Sequence, residues 1–310
     1  MGTTWHVTLT ELPQHTTPQA LQQGLEQVFK TVNAQMSTWQ TDSELSRFNQ
    51  STSTDWISVW PDVARVVATA LTLSQQSDGY YDITVGPLVN LWGFGPGENA
   101  ANAVVPDATA IQAALKRVGY QKLQVTEHPP ALRKTQADVY VDLSSIAKGY
   151  GVDQARLYLE SQGVQNGMVE IGGEVTAWGK SPRGDAWHIA IEQPNDHGRT
   201  VQQGVNLTDK GLATSGDYRN FFVQHGKRYS HTIDPKTGYP VTNKLASVSV
   251  LAENTMLADG YATLLMALGL ERARQFAQQH QLAAYFIWRT EQGFATEASA
   301  AFKPYLMQGN

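Results

Sequence analysis

The chain of 310 residues contains no cysteine. This absence excludes disulfide bonds, thiolate metal sites, thiol nucleophiles and redox-active thiols. Charged residues are also scarce, at 16% of the chain, against roughly 25% in an ordinary soluble domain. The 23 Lys and Arg are outnumbered by 28 Asp and Glu, which gives a net charge of -5. General binders of nucleic acid or of anionic membranes need a basic surplus, so the charge argues against both classes.

Long apolar runs are missing as well. No window of about 18 apolar residues occurs, so the sequence predicts no membrane-spanning helix. Apolar residues nevertheless make up 41% of the chain, which excludes a disordered tail protein. A chain of this length buries about three quarters of its unfolded surface and needs no cross-links to fold. The sequence therefore predicts a folded globular protein.

Helical and strand-like segments are mixed along the chain. Apolar spacing of three to four residues predicts helices at 18–36, 61–79, 106–119, 145–160, 256–268 and 271–280. Short β-branched or aromatic runs predict strands at 3–9, 139–143, 168–175, 187–193, 203–206, 220–224, 227–233, 246–252, 283–289 and 294–298. Because strands often follow strands, we predict an α+β fold, with mixed, largely antiparallel sheets flanked by helices. We expect residues 1–310 to form a single domain, with two lobes as an option, and residues 92–105 to be a linker or a functional loop.

An aromatic segment and a strand-to-helix junction are the first two candidate sites. Residues 80–95 combine aromatic side chains with Gly and Pro, which suits either stacking on a planar ring or a buried aromatic corner. Residues 141–151 lead from a predicted strand into a helix. Such a junction presents free N–H groups that attract a phosphate, which Lys148 would also reach, but Ser144 or Ser145 equally suits simple helix capping. A glycine pair at 172–173 indicates a bulge or a close backbone approach.

Two further segments carry reactive side chains. Ser215, His231 and Asp234 are close in sequence, but Ser215 lacks a nucleophile-elbow context for a hydrolase triad. His231 precedes a Pro/Gly turn, where it is either an exposed base or simply solvated. Asp259 and Thr263 are four residues apart on a predicted helix, so their oxygens share one face. This pair suits Mg²⁺ or Ca²⁺, whereas the alternative is a carboxylate that stabilises the helix N-terminus.

Taken together, these segments resemble one known family. The chain carries Met1-Gly-Thr3, Met36-Ser-Thr-Trp39, Asp42 to Asn49, Tyr81 to Gly95, Val141 to Tyr150, Ser230 to Gly238 and Ala258-Asp-Gly-Tyr-Ala-Thr263. In this order, and over nearly the whole chain, they resemble the FAD:protein FMN transferase (ApbE) family. The resemblance implies a T-fold-related α+β architecture, FAD as substrate and Mg²⁺ as cofactor. It also implies transfer of FMN from FAD to a threonine hydroxyl of an acceptor flavoprotein, with release of AMP.

The same resemblance implies roles for individual residues. FAD contacts are expected at Met1, Trp39, Tyr80, Tyr81, Asp82, Asp142, Lys148 and Ile233. Metal ligands are expected at Asp259, Thr263 and, through its backbone carbonyl, Ser145, and His231 is the expected catalytic base. Some relatives carry a second acid where this chain has Ala262. The metal in this chain would then have one carboxylate ligand fewer than in those relatives.

The resemblance also implies partners and a location. Typical acceptors are subunits of sodium-pumping NADH:quinone oxidoreductases or Rnf-type complexes. Family members are commonly periplasmic lipoproteins, so we expect a periplasmic inner-membrane lipoprotein whose signal and lipid-bearing Cys precede Met1. Two alternatives stay open: an FAD pyrophosphatase that uses water as nucleophile, and a flavin-binding protein without enzymatic activity.

Overall fold

The computed structural model describes residues 2–96, 104–195, 200–218 and 220–307. It divides into two compact units. The first, here called the sheet unit, comprises Met1–Val32, Ile146–Tyr218 and Lys244–Asn310. The second, here called the helix-rich unit, comprises Asn33–Ser145 and Arg219–Asn243. In the described residues, no helix has the length and apolar character required to cross a membrane.

Helices and strands are numbered in chain order. The helices are α1 Pro18–Met36, α2 Glu44–Gln50, α3 Pro61–Gln76, α4 Gly86–Leu91, α5 Ala108–Leu115, α6 Ala147–Ser161, α7 Thr255–Leu268 and α8 Leu270–Gln279. The strands are β1 Trp5–Leu9, β2 Ile57–Ser58, β3 Leu123–Glu127, β4 Pro130–Lys134, β5 Gly167–Ile171, β6 Glu174–Trp178, β7 Trp187–Glu192, β8 Val201–Leu207, β9 Lys210–Gly216, β10 Phe221–Gln224, β11 Lys227–Ser230, β12 Leu245–Ala252, β13 Ala283–Thr290 and β14 Gly293–Ala298.

A seven-stranded antiparallel sheet organises the sheet unit, in the order β1-β5-β6-β9-β12-β13-β14. Successive side chains of a strand point to opposite faces, so each strand contributes to two cores. On one face, Val169 and Ile171 of β5 pack with apolar residues of α1 and α6. On the other, Val175 of β6 and Leu212 of β9 pack beneath the β7–β8 hairpin. The sheet is therefore covered on both faces, which holds β6, β9 and α7 in fixed positions.

The helix-rich unit contains α2 to α5, the small sheet β2-β4-β3 and the β10–β11 hairpin. Its aromatic core centres on Trp92, which is fully buried and packs with Phe222 and Ile233. The indole N–H of Trp92 donates to the Gly238 carbonyl at 2.8 Å. This bond ties the end of α4 to the loop that follows β11.

The predicted α+β class with largely antiparallel sheets is confirmed. The predicted long helices are present as α1, α3, α5, α6, α7 and α8, with ends shifted by a few residues. A turn at His225-Gly226 joins β10 to β11, with positive φ at both residues. Six elements were not predicted from the sequence: helices α2 and α4 and strands β2, β3, β4 and β9.

Two predicted strands are wrong. Residues 139–143 pair with no strand, although Val139, Val141 and Leu143 are buried. The Asn49 side chain instead forms two 2.8 Å hydrogen bonds with the backbone of Val141, and the Asp142 N–H donates to the Ile83 carbonyl. The predicted strand 168–175 is two strands, β5 and β6, joined by Gly172 and Gly173 with φ of 64° and 106°. The glycine pair therefore forms a hairpin turn and not a bulge. Of the predicted linker or loop at 92–105, residues 97–103 lie outside the described residues, and 92–96 directly follow α4.

Candidate active site

Helix α7 begins at a well-capped N-terminus in the sheet unit. The Asn254 side chain accepts the Leu257 N–H at 2.9 Å, and the Asp153 carboxylate accepts the N–H groups of Thr255 and Met256 at 2.8 Å. These contacts satisfy donors that the first helical turn leaves without intrahelical partners. Burial raises the pKa of Asp153, and these N–H groups oppose the shift. Asp259 lies one turn further on, so Asp153 and Asn254, and not Asp259, stabilise the helix N-terminus.

The backbone of α6 makes an unusually close approach to Asp259. The Asp259 side chain is buried, and its Oδ2 accepts the Gly149 N–H at 2.9 Å. A Cβ atom at Gly149 would lie 2.3 Å from the Thr255 carbonyl oxygen and 2.8 Å from the Asp259 Cβ. Only glycine therefore permits this approach, which fixes one oxygen of the carboxylate. The other oxygen, Oδ1, lies 4.0 Å from the Lys148 ammonium.

Lys148 lies between two buried acids of the sheet unit. Its Nζ is 2.5 Å from Oε1 of Glu174, whose side chain is 3% exposed, whereas that of Lys148 is 34% exposed. Burial alone would lower the pKa of Lys148, but Asp259 and Glu174 outweigh it and raise that pKa. Burial raises the pKa of Glu174 to about 7 and also raises the pKa of Asp259, in both cases against the attraction of Lys148. The carboxyl groups of Glu174 and Asp259 thus stabilise the charged form of the Lys148 ammonium.

Thr263, one turn beyond Asp259, completes the predicted oxygen pair of α7. Its Oγ1 lies 3.1 Å from Oγ of Ser215 on β9. Carboxylate and hydroxyl oxygens are hard donors, which suit Mg²⁺ and not thiophilic metals. Within the described residues, no three His, Asp or Glu side chains cluster so as to hold a metal ion. The donor chemistry fits Mg²⁺, but the ion would take its remaining ligands from water, backbone or substrate oxygens.

Ser145, predicted to be a metal ligand, and Tyr81, predicted to contact FAD, lie together in the helix-rich unit. The Tyr81 hydroxyl and Oγ of Ser145 are 2.8 Å apart, and the Tyr81 side chain is 3% exposed. Tyr80 is less buried, and Lys236 lies 4.7 Å above its ring while pairing with Asp78 at 2.8 Å. One face of the Tyr80 ring is thus already covered by an ammonium group.

The two acids predicted to contact FAD organise their own loops. Asp82 accepts the Thr84 N–H and hydroxyl with Oδ1 and the Tyr120 N–H with Oδ2. Burial raises the pKa of Asp82, and these hydrogen bonds counter the shift. Oδ1 of Asp142 likewise accepts the N–H and hydroxyl of Ser144, so Ser144 does not cap α6.

The other predicted FAD contacts in this unit differ in exposure. Trp39 is 62% exposed and presents its ring to solvent, whereas Ile233 is 5% exposed and packs in the aromatic core. Met1 lies outside the described residues. The FAD contacts of these residues stay predictions.

The predicted base, His231, follows directly after β11. Its Nδ1 lies 3.0 Å from the Asn220 carbonyl oxygen, which can only accept a hydrogen bond. The neutral ring therefore carries its proton on Nδ1, and Nε2 is the basic nitrogen. Phe94 packs edge-on at 6.3 Å between ring centroids. A backbone carbonyl thus orients the ring, while Oδ1 of Asp234 accepts the Lys236 N–H.

Sequence reasoning assigned no role to Glu174 and did not connect Ser215 with Thr263. The signal for Glu174 was its position immediately after the Gly172-Gly173 pair, because a two-residue turn places that acid at the start of a strand. Ser215 gave no comparable signal, since its partner Thr263 is 48 residues away.

Comparisons with known proteins agree over nearly the whole chain. The model of the ApbE family matches residues 1–286. A Haemophilus influenzae protein described as "FAD:protein FMN transferase" is 46% identical over 306 residues, which cover 98% of this chain and 88% of the relative. A Vibrio cholerae protein of the same description is 45% identical over 306 residues, with 99% and 90% covered.

Solved structures agree with the sequence relatives. The structure described as "Flavin Transferase ApbE from Vibrio cholerae" has a TM-score of 0.90 at 45% identity and covers 99% of this chain and 96% of its own. The apo form of the Pseudomonas stutzeri flavinyl transferase ApbE also has a TM-score of 0.90, at 39% identity, with 100% and 95% covered. Fold and sequence thus define an enzyme of the flavin transferase class. The chain belongs to the ApbE family.

Proposed function

We propose that the chain is an Mg²⁺-dependent FAD:protein FMN transferase that moves FMN from FAD to a threonine hydroxyl of an acceptor flavoprotein and releases AMP. The observation that carries this proposal is the match, at up to 46% identity over 306 residues, to proteins described as FAD:protein FMN transferases. The cluster of Lys148, Glu174 and Asp259 supports it, together with Thr263 on the helix of Asp259. Pyrophosphate chemistry needs fixed cationic and oxygen-donor groups of this kind.

The reaction breaks one bond of the FAD pyrophosphate and forms one new bond. The acceptor threonine oxygen attacks the FMN phosphorus, the bridging P–O bond breaks, and that bridging oxygen leaves with AMP. The Lys148 ammonium supplies positive charge for the phosphate oxygens. Nε2 of His231 takes the hydroxyl proton, because a threonine hydroxyl is a poor nucleophile near neutral pH.

Asp259 and Thr263 would hold Mg²⁺ through side-chain oxygens. When bound, the ion neutralises negative charge on the pyrophosphate and on the departing AMP. The Ser145 carbonyl, which the family resemblance adds to the ligand set, is a further element of the proposal. Gly149 contributes by fixing Oδ2 of Asp259, so the carboxylate meets a cation in a set orientation.

We also propose the acceptor class and the compartment that the family resemblance implies. The acceptors are subunits of a sodium-pumping NADH:quinone oxidoreductase or an Rnf-type complex, and the enzyme is a periplasmic inner-membrane lipoprotein. Fractionation of the native host tests the compartment, because the protein should be recovered in the inner-membrane fraction. Recovery in the cytoplasmic fraction would contradict it.

Mass spectrometry of an acceptor domain tests the reaction. The protein is incubated with FAD, Mg²⁺ and an isolated acceptor domain, and the acceptor should gain the mass of FMN less one water on its threonine. The adduct should be absent when EDTA replaces Mg²⁺, when the acceptor threonine is changed to Ala, or when the enzyme carries Asp259→Ala. Unmodified acceptor with the intact enzyme would contradict the transferase proposal.

Two alternatives give different products in the same assay. An FAD pyrophosphatase would release FMN and AMP without any acceptor, since water would replace the threonine hydroxyl. A flavin-binding protein without activity would return FAD intact with or without Mg²⁺. Chromatography of the flavins in an acceptor-free reaction distinguishes both from a strict transferase, which should release little FMN.

A further inference from the structure

Glu174 is a buried acid, and only one of its two carboxylate oxygens contacts a polar partner among the described residues. Its Oε1 contacts Lys148, whereas its Oε2 is buried without a hydrogen-bond partner among the described residues. A buried polar atom without a partner costs folding free energy. Core packing alone therefore does not explain an ionisable side chain here.

The backbone around Glu174 is built so that this side chain starts a fully buried strand. Gly172 and Gly173 form the two-residue turn of the β5–β6 hairpin, and Ile171 pairs with Glu174. All five residues of β6 are buried, and β6 packs against both α6, which carries Lys148, and α7, which carries Asp259. The hairpin thus places Glu174 beside the two helices that carry Lys148 and Asp259.

The ammonium of Lys148 is not shared equally by its two acids. It lies 2.5 Å from Glu174 but 4.0 Å from Asp259. Asp259 already accepts the Gly149 N–H with Oδ2, so Oδ1 is the oxygen on the Lys148 side. Without the charge of Glu174, Asp259 would be the remaining carboxylate partner of Lys148, because opposite charges in a poorly solvated site attract strongly.

We propose that Glu174 is a positioning residue that holds the Lys148 ammonium and thereby keeps Asp259 available to a divalent cation. The inference rests on the proposed function, in which Asp259 is a ligand of Mg²⁺. Lys148 and the cation compete for the carboxylate of Asp259. Because Glu174 pairs with Lys148, the Asp259 carboxylate stays available to the cation.

Binding of Mn²⁺ to the protein, measured by the loss of the free-ion electron paramagnetic resonance signal, tests the inference without turnover. The titration is made without FAD and then with FAD but no acceptor. Glu174→Gln keeps the shape of the side chain and removes its charge. It should weaken Mn²⁺ binding on the order of tenfold, the lower end for loss of a group that orients a metal ligand.

A second substitution separates positioning from folding and from simple charge loss. Lys148→Met removes the competing ammonium, so it should bind Mn²⁺ at least as tightly as the unaltered protein. In the Lys148→Met background, Glu174→Gln should then change Mn²⁺ affinity less than twofold. Equal losses in both backgrounds would show that Glu174 acts only through its charge and would overturn the positioning role.

The matched control is Glu170→Gln, in the neighbouring strand of the same hairpin, where the acid pairs with His6 and not with Lys148. This control should leave Mn²⁺ affinity unchanged. If Glu174→Gln lowers only the melting temperature and binds Mn²⁺ normally, the residue is merely structural and the inference fails while the proposed function stands. If Asp259→Ala also binds Mn²⁺ normally, the metal assignment of the proposed function fails, and the inference fails with it.

Discussion

A backbone carbonyl holds the imidazole of His231. The Asn220 carbonyl receives the ring proton on Nδ1, and the same carbonyl also accepts the His231 backbone N–H at 3.1 Å. A carbonyl fixes the tautomer and the ring orientation without adding a negative charge that would stabilise the protonated ring. Nε2 is then suited to take a proton and to release it again.

This arrangement predicts a loss of rate without a loss of binding. His231→Asn should retain FAD affinity and a melting temperature close to that of the unaltered protein, but single-turnover FMN transfer should fall by about 10²–10⁴-fold. Measurements of all three quantities on one preparation separate the possibilities. A lower melting temperature with an unchanged rate per folded molecule would show that the ring only packs the loop.

Among single residues, only those with a local sequence signal can be connected to one another from the sequence. Asp259 and Thr263 were paired from their spacing on one helix, and the structure places both on α7. Glu174 and Ser215 were not connected to them, because their partners are distant in sequence and only the sheet register brings β6 and β9 against α7. Spacing within one element is visible in a sequence, whereas contacts between elements are not.

At the scale of elements, the segment 139–143 shows how a side chain can replace a strand. Asn49, near the end of α2, donates to the Val141 carbonyl and accepts its N–H, both at 2.8 Å. We expect Asn49→Ala to destabilise the protein by about 1–3 kcal/mol per orphaned backbone group, the usual cost of a buried donor or acceptor without a partner. Urea denaturation measures this change.

Gln50→Ala is the matched control, because the neighbouring side chain of Gln50 is exposed and contacts only the Thr41 carbonyl among the hydrogen bonds described for it. It should shift the free energy of unfolding by less than about 0.5 kcal/mol, as surface substitutions usually do. Equal effects of the two substitutions would show that Asn49 does not hold the segment in place.

The contact between α6 and α7 gives a second prediction for elements. A methyl group at Gly149 would collide with the Thr255 carbonyl, so Gly149→Ala should force the helices apart and cost about 1–3 kcal/mol, as overpacking does. It should also weaken Mn²⁺ binding by misplacing Asp259. Gly184→Ala is unsuitable as a control, because φ at Gly184 is 86° and alanine would be strained there. The control is Ala147→Gly, which alters helix α6 without adding atoms between α6 and α7. Normal Mn²⁺ affinity in Gly149→Ala would contradict the role of this contact.

Elements were predictable where they were long and amphipathic. Helices α1 and α3 were found because their apolar residues recur every three to four positions over four or more turns. Helix α2 was missed because its seven residues are mostly polar and its start depends on a cap, the Ser43 hydroxyl, which accepts the Ser46 N–H. Residues 139–143 have the composition of a strand because burial favours the same residue types whether or not a neighbouring strand is present.

For the whole molecule, buried carboxyl groups determine how stability depends on pH. Burial raises the pKa values of Asp82, Asp153, Glu174 and Asp259, with that of Glu174 reaching about 7. The folded protein therefore holds these protons more tightly than the unfolded chain does. Their contribution to stability is fully present below the unfolded pKa values, near 4. The contribution of Glu174 is lost as pH rises through about 7, and that of each other acid is lost as pH rises through its own raised pKa.

We accordingly expect the metal-free protein to unfold at a lower urea concentration at pH 8 than at pH 5. Glu174→Gln should reduce this difference, because the amide does not titrate, while the remaining buried acids preserve part of it. Urea titrations of both proteins in EDTA at the two pH values measure the effect. A difference between pH values as large in Glu174→Gln as in the unaltered protein would contradict the prediction.

The sheet unit is assembled from three separate stretches of chain, and this has a consequence for synthesis on the ribosome. Strand β1 pairs with β5, which is followed in the sheet by β6, β9, β12, β13 and β14. All of these partner strands are synthesised much later than β1. Contacts between residues so distant in sequence form slowly, because the intervening chain must first be closed into loops. Strand β1, which is apolar on one face, therefore stays unpaired until more than half of the chain has been translated. Apolar surface and strand edges that stay unpaired in this way favour aggregation of the partly folded chain.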